Sequence, residues 1–148
     1  MIRARIASAL QTVAARLLQF ARGMTQRRIL IVEDDHVLRT LLARHLRSGG
    51  FEVVEARDGT TALSRLGDAL CEEAGSYDLL ISDVQMPGHT GLDLASELKR
   101  GAWPTPILLI TGFGSAEAHA EAARLGATML DKPLDLDVLT DAVEHLLS

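Results

Sequence analysis

Five short apolar runs recur along the chain, and helical spacing fills the stretch after each of them. The runs are Arg28–Val32, Phe51–Val54, Tyr77–Ser82, Ile107–Ile110 and Thr128–Leu130. Helical periodicity follows over His36–Arg47, Thr60–Ala74, Gly91–Arg100, Ser115–Leu125 and Asp135–Leu147. Gly49-Gly50, Asp58-Gly59, Gly75 and Pro87-Gly88 punctuate the junctions. Strands separated by helices of this length run parallel, because each connection must cross over the sheet. The pattern therefore predicts an α/β fold, a doubly wound five-stranded parallel sheet with helices on both faces. A length of 148 residues leaves little room for a second folded module.

Charge divides the chain unevenly. Through Arg28 there are six arginines and no acid, while the remainder carries nine Lys/Arg against twenty Asp/Glu, a net −11. So acidic a body repels a phosphate backbone, and direct DNA binding by it is not expected. The first 26 residues read as a basic amphipathic helix, with Ile2, Ile6, Leu10, Val13, Leu17, Ala21 and Met24 at three- and four-residue steps. Met24 is also an alternative start, in which case residues 1–23 precede the protein proper. Residues 27–148 form the folded domain. The single cysteine, Cys71, excludes an internal disulfide and suits a reducing compartment. A cytoplasmic location is expected.

In an open parallel sheet the functional crevice lies beyond the carboxyl ends of the strands. Reading each strand to its end gives Glu33-Asp34-Asp35 after the first, Asp83 after the third, Thr111 after the fourth and Lys132 after the fifth. Carboxylates gathered at two strand ends repel one another unless a hard cation compensates, and an oxygen-only donor set suits Mg²⁺. A hydroxyl and an ammonium beside them are the donors that a phosphoryl group needs. No Gly-rich phosphate loop followed by Lys and Ser/Thr occurs, nor a GxGxxG after the first strand. The five histidines show no zinc spacing. An aspartate directly ahead of a helix is also an N-cap residue, so Asp34 or Asp35 has that alternative role.

ILIVEDD at 29–35, LLISDVQMPGHTGLDL at 79–94, ILLITGFG at 107–114 and DKP at 131–133 stand in order, each at a strand end. Together they resemble the receiver domain of bacterial two-component response regulators, with its flavodoxin-like fold. The resemblance runs from Arg27 to the C-terminus. It implies that Asp83 accepts a phosphoryl group from a phosphohistidine, and that Asp34, Asp35 and Asp83 with the Gln85 backbone carbonyl hold Mg²⁺. It further implies that Thr111 turns toward the acyl phosphate, that Lys132 pairs with it, and that Pro133 shapes the turn after the lysine, often through a cis bond.

Three departures from the family pattern stand out. Met129 occupies the position, three before the lysine, where the family commonly has an aromatic ring that follows the state of the threonine. The stretch from Gly59 to Asp83 is several residues longer than usual, and Gly126 to Lys132 is one residue short. The expected partners are a sensor histidine kinase or phosphotransfer protein and a separate downstream protein, reached through the face of the fourth helix, fifth strand and fifth helix. A homodimer through the N-terminal helix or the last helices is a further arrangement the pattern allows. With no helix-turn-helix after Ser148, a receiver acting alone is expected, and a piece cut from a longer regulator is the alternative.

Such a domain is a switch with self-phosphorylation and self-dephosphorylation at most. One rival is a receiver-like interaction module that is never phosphorylated. A haloacid-dehalogenase-like phosphatase also uses Asp and Mg²⁺, but it wants a second aspartate two residues past the first, where this chain has Gln85.

Overall fold

The structure is a computed structural model, and it describes residues 6, 9–11, 13–14, 17, 26–70 and 77–148. Five strands alternate with five helices: β1 (Arg28–Val32), α1 (His36–Ser48), β2 (Glu52–Ala56), α2 (Gly59–Ala69), β3 (Leu79–Asp83), α3 (Gly91–Arg100), β4 (Ile107–Thr111), α4 (Ala116–Arg124), β5 (Thr128–Asp131) and α5 (Leu136–Leu147). The strands form one parallel sheet in the order β2-β1-β3-β4-β5. This is the five-stranded, doubly wound sheet that the alternation predicts. β2 runs two residues past the sequence reading, because β1 offers it partners as far as Val32, opposite Ala56.

Alternation within each strand divides the core in two. Leu30, Val32, Leu80 and Leu109 pack with Ala62 and Leu66 of α2, Leu94 and Leu98 of α3 and Ala122 of α4. Ile29, Ile31, Ile81 and Leu108 face the other way, onto Leu42 and Leu46 of α1 and Leu139 and Val143 of α5. Both sheet faces are therefore covered, which is why β1, β3 and β4 read as unbroken apolar runs rather than alternating ones. A bond of 2.7 Å between His45 Nε2 and Thr140 Oγ1 ties α1 to α5.

Each of α1 to α5 begins after a strand's carboxyl end, and each start is capped by a side chain: Asp35, Asp58, Thr90, Ser115 and Asp135. These caps satisfy amide donors that a helix start leaves unpaired. Thr90 and Asp93 form a reciprocal capping box. The α3 start is pressed against the functional edge of the sheet. A Cβ on Gly91 would lie 2.5 Å from the Asp83 carbonyl oxygen and 2.9 Å from Leu109 Cδ2, so only glycine lets the helix approach this closely. Cys71 and the rest of the stretch 71–76, where the extra length between Gly59 and Asp83 was expected, lie outside the described residues. Beyond residue 17, the leader up to 25 does too.

Two outcomes follow from this packing. Gly91→Ala forces either α3 or the Asp83 carbonyl to shift and is expected to lower unfolding free energy by about 1–3 kcal/mol, measured by urea denaturation. Asp58 is held below its ordinary 3.8 by hydrogen bonds from the Thr61 side chain and the Thr61 amide. A carboxylate with a depressed folded pKa stabilises at higher pH, and that contribution disappears as pH falls below 3.8 through the folded value. Asp58→Asn keeps a cap but cannot titrate, so its urea midpoint should fall less on acidification than that of the parent protein.

Candidate functional site

β1 and β3 are neighbours although β2 intervenes in sequence, so the strand order reverses between them. Their carboxyl ends open onto the crevice where α/β sheets place ligands. Into it β1 delivers Glu33 and Asp34, and β3 delivers Asp83. One carboxylate oxygen from each lies within 4.8 Å of the others. Asp83 and Thr111 are buried at the ends of the two central strands, and Lys132 reaches across from the end of β5. Its Nζ donates to Asp83 Oδ2 at 2.9 Å. The other Asp83 oxygen, Oδ1, accepts from the Gln85 amide at 3.0 Å. Thr111 Oγ1 accepts from the Phe113 amide at 3.1 Å, which leaves the hydroxyl proton free to donate elsewhere. The Lys132–Pro133 peptide is cis.

The electrostatics follow from crowding three acids at one edge. Burial raises the Glu33 carboxyl to about 8, and the neighbouring Asp83 and Asp34 add to the rise, against a lowering hydrogen bond from the Asp35 amide. Glu33 is only 2% exposed, and its Oε2 has no hydrogen-bond partner among the described residues. For Lys132 burial lowers the pKa, but the hydrogen bond and charge of Asp83, with the charges of Glu33 and Asp34, outweigh it and the net shift is upward. A buried carboxylate oxygen without a partner, among three acids and oxygen donors only, fits a hard divalent cation.

One residue departs from the sequence expectation. Asp35, expected beside Asp34 in the metal set, turns its carboxylate onto the start of α1, where Oδ1 accepts from the Leu38 amide at 3.0 Å. Glu33 takes the place beside Asp34. The capping alternative therefore applies to Asp35, and the signal for it was its position directly ahead of the first helical residue. Glu33 itself is fixed twice: its carbonyl accepts from Arg39 Nη1 at 2.8 Å, and Oε1 accepts from the Asp35 amide. Met129 lies half-buried on β5, packed against the core formed by α2, α3 and α4.

The sequence model of the response regulator receiver domain matches residues 29–144. The chain belongs to the response regulator receiver family. Glu33, Asp34 and Asp83 form the acidic triad typical of the magnesium and phosphoaspartate pocket of receiver domains. The arrangement is consistent with self-phosphorylation and self-dephosphorylation rather than classical catalysis. The chain is 36% identical over 121 residues to the transcriptional regulatory protein FixJ of Bradyrhizobium diazoefficiens, covering 81% of this chain and 56% of that one. It is 34% identical to the chemotaxis protein CheY of Pseudomonas aeruginosa, over 80% of this chain and 94% of the other. The crystallised Vibrio cholerae chemotaxis protein CheY4 superposes with a TM-score of 0.72 at 31% identity, over 83% of this chain and all of that one. The receiver domain of the hybrid histidine kinase CckA does so at 0.65 and 37%, over 82% and 99%. The chain spans about half of FixJ and 26% of the regulatory protein ZraR of Salmonella typhimurium. Among the described residues, no helix is long and apolar enough to cross a membrane.

If the three carboxylates are a cation site, a divalent cation binds the folded receiver and not the unfolded chain. The melting temperature should then rise as the cation is added, by the equivalent of about 2.7 kcal/mol at a hundredfold excess over Kd. Asp34→Asn, which removes an exposed ligand without opening the core, should lose most of that rise in the same thermal scan.

Proposed function

We propose that residues 27–148 act as a phosphorylatable receiver, with Asp83 as the phosphoacceptor. The observation that carries this is the pairing of a buried aspartate with Lys132 beside two further carboxylates at one strand edge. One oxygen of Asp83 attacks the phosphorus of a phosphohistidine, the P–N bond breaks, and the imidazole nitrogen leaves with its electron pair. An acyl phosphate on Asp83 results. Lys132 and the Thr111 hydroxyl are placed to donate to the phosphoryl oxygens, in positions organised before the group arrives. Asp34, Asp83 and the Gln85 backbone carbonyl, with Glu33 beside them, would hold Mg²⁺. Bound there, the ion supplies positive charge against the incoming phosphoryl oxygens.

The added charge draws Thr111 toward it and frees the Phe113 amide from its present acceptor, so the segment after β4 responds first. Phe113 is 77% exposed and sits within reach of a partner. The change passes to the face of α4, β5 and α5, where Met129 fills the space of an aromatic reporter without a rigid ring. This reading expects a sensor histidine kinase or phosphotransfer protein as donor, a separate protein as target, and a cytoplasmic setting.

Incubation with Mg²⁺ and acetyl phosphate, followed by intact-mass measurement in acid, tests the assignment. A single phosphoryl adduct is expected on the parent protein and none on Asp83→Asn. Lys132→Ala should still load but fail to shift the amide spectrum of the α4–β5–α5 face. An equal adduct on Asp83→Asn would put the phosphoryl group on another residue and overturn the assignment, and no adduct on the parent would favour the unphosphorylated interaction module.

A further inference from the structure

The receiver reading absorbs the acidic edge but leaves the leader without a role. Ile6, residues 9–11, Val13, Ala14 and Leu17 are helical in the structure. Ile6, Leu10, Val13 and Leu17 recur at steps of four, three and four, which puts them on one face of that helix. All four are between 53% and 63% exposed, so the domain does not cover this stripe. Soluble proteins rarely leave so continuous an apolar stripe in water unless something else takes it.

Charge decides what that is. The leader carries Arg3, Arg5, Arg16 and Arg22 and not a single acid, and Arg27 and Arg28 follow directly. A second leader helix is a poor partner for it. The positions that flank the stripe in a coiled coil, Ala7, Ala14 and Ala21 on one side and Ala9, Arg16 and Gly23 on the other, offer no acid to meet an arginine. Two such helices would bring together only like charges. An arginine-rich, acid-free segment with one apolar helical face complements a surface that is apolar beneath an anionic layer. We propose that the leader lies on an anionic lipid surface, with Ile6, Leu10, Val13 and Leu17 sunk toward the acyl chains and its arginines at the headgroups. The receiver, at net −11, is repelled by the same headgroups and stays above the surface.

This proposal is independent of phosphoryl acceptance on Asp83, and its test contains no phosphodonor. The full chain is sedimented with vesicles of phosphatidylcholine alone or of phosphatidylcholine mixed with phosphatidylglycerol. Binding is expected only to the phosphatidylglycerol vesicles, and rising salt should release it. Arg16→Gln should weaken the partition about fivefold. The double variant Leu10→Asp, Leu17→Asp should stay in the supernatant, while circular dichroism and thermal unfolding report an intact receiver. Failure of the full chain to sediment with anionic vesicles would overturn the proposal, as would equal sedimentation of the double variant. Self-association in sedimentation equilibrium that the double variant abolishes, without vesicle binding, would assign the stripe to a second copy instead.

Discussion

A carboxylate buried at the end of a central strand needs a cation beside it, and the rest of the site is organised around that requirement. Asp83 closes β3, which has β1 on one side and β4 on the other, and only 5% of it is exposed. Lys132 meets it from β5, one strand further out, and can do so because β5 pairs with β4 in a register that sets Asp131 opposite Thr111. The Lys132 amide bonds to the Thr111 carbonyl at 2.7 Å, so lysine and threonine are fastened to the same point of the sheet. A shift of either one is felt by the other. The placement of Lys132 and Thr111 at the Asp83 edge is therefore a property of strand pairing rather than of loop conformation.

Three acids against one lysine leave the edge under-compensated. Glu33 shows the consequence: burial, with Asp83 and Asp34 adding to it, pushes its carboxyl up to about 8, and Oε2 lacks a partner among the described residues. All five helices begin at this same edge, and their unpaired amides add partial positive charge there. That charge is largely spent on caps, as Asp35 illustrates by accepting from the Leu38 amide. The helix starts stabilise the scaffold, while the remaining carboxylates are left with one another. A site so arranged leaves its clustered carboxylates short of compensation.

Much of the architecture was legible in the sequence because burial on both faces leaves a plain mark. β1, β3 and β4 are unbroken apolar runs, and each is followed at once by a capping residue or a functional one. The boundaries slipped where pairing, not local pattern, sets the limit: β2 continues to Ala56 because Val32 is opposite it. The site was legible as a set of strand ends, and Asp83, Thr111 and Lys132 were all placed there. The choice among Glu33, Asp34 and Asp35 was legible only as far as a capping alternative for Asp34 or Asp35, since three consecutive acids look alike until the chain turns from strand to helix.

By itself the sequence determined the class of fold, the parallel sense of the sheet and the edge at which chemistry gathers, because periodicity and crossover length are local properties of the chain. It also determined the uneven charge, a basic leader ahead of an acidic body. Tertiary structure decided which carboxylates meet: Glu33 and Asp34 face Asp83, and Asp35 is given to α1. It also decided that Lys132 bonds to Asp83 and that Ile6, Leu10, Val13 and Leu17 stay uncovered. Each of these depends on directions in space that neighbouring strands and helices impose, and residue order alone does not encode them.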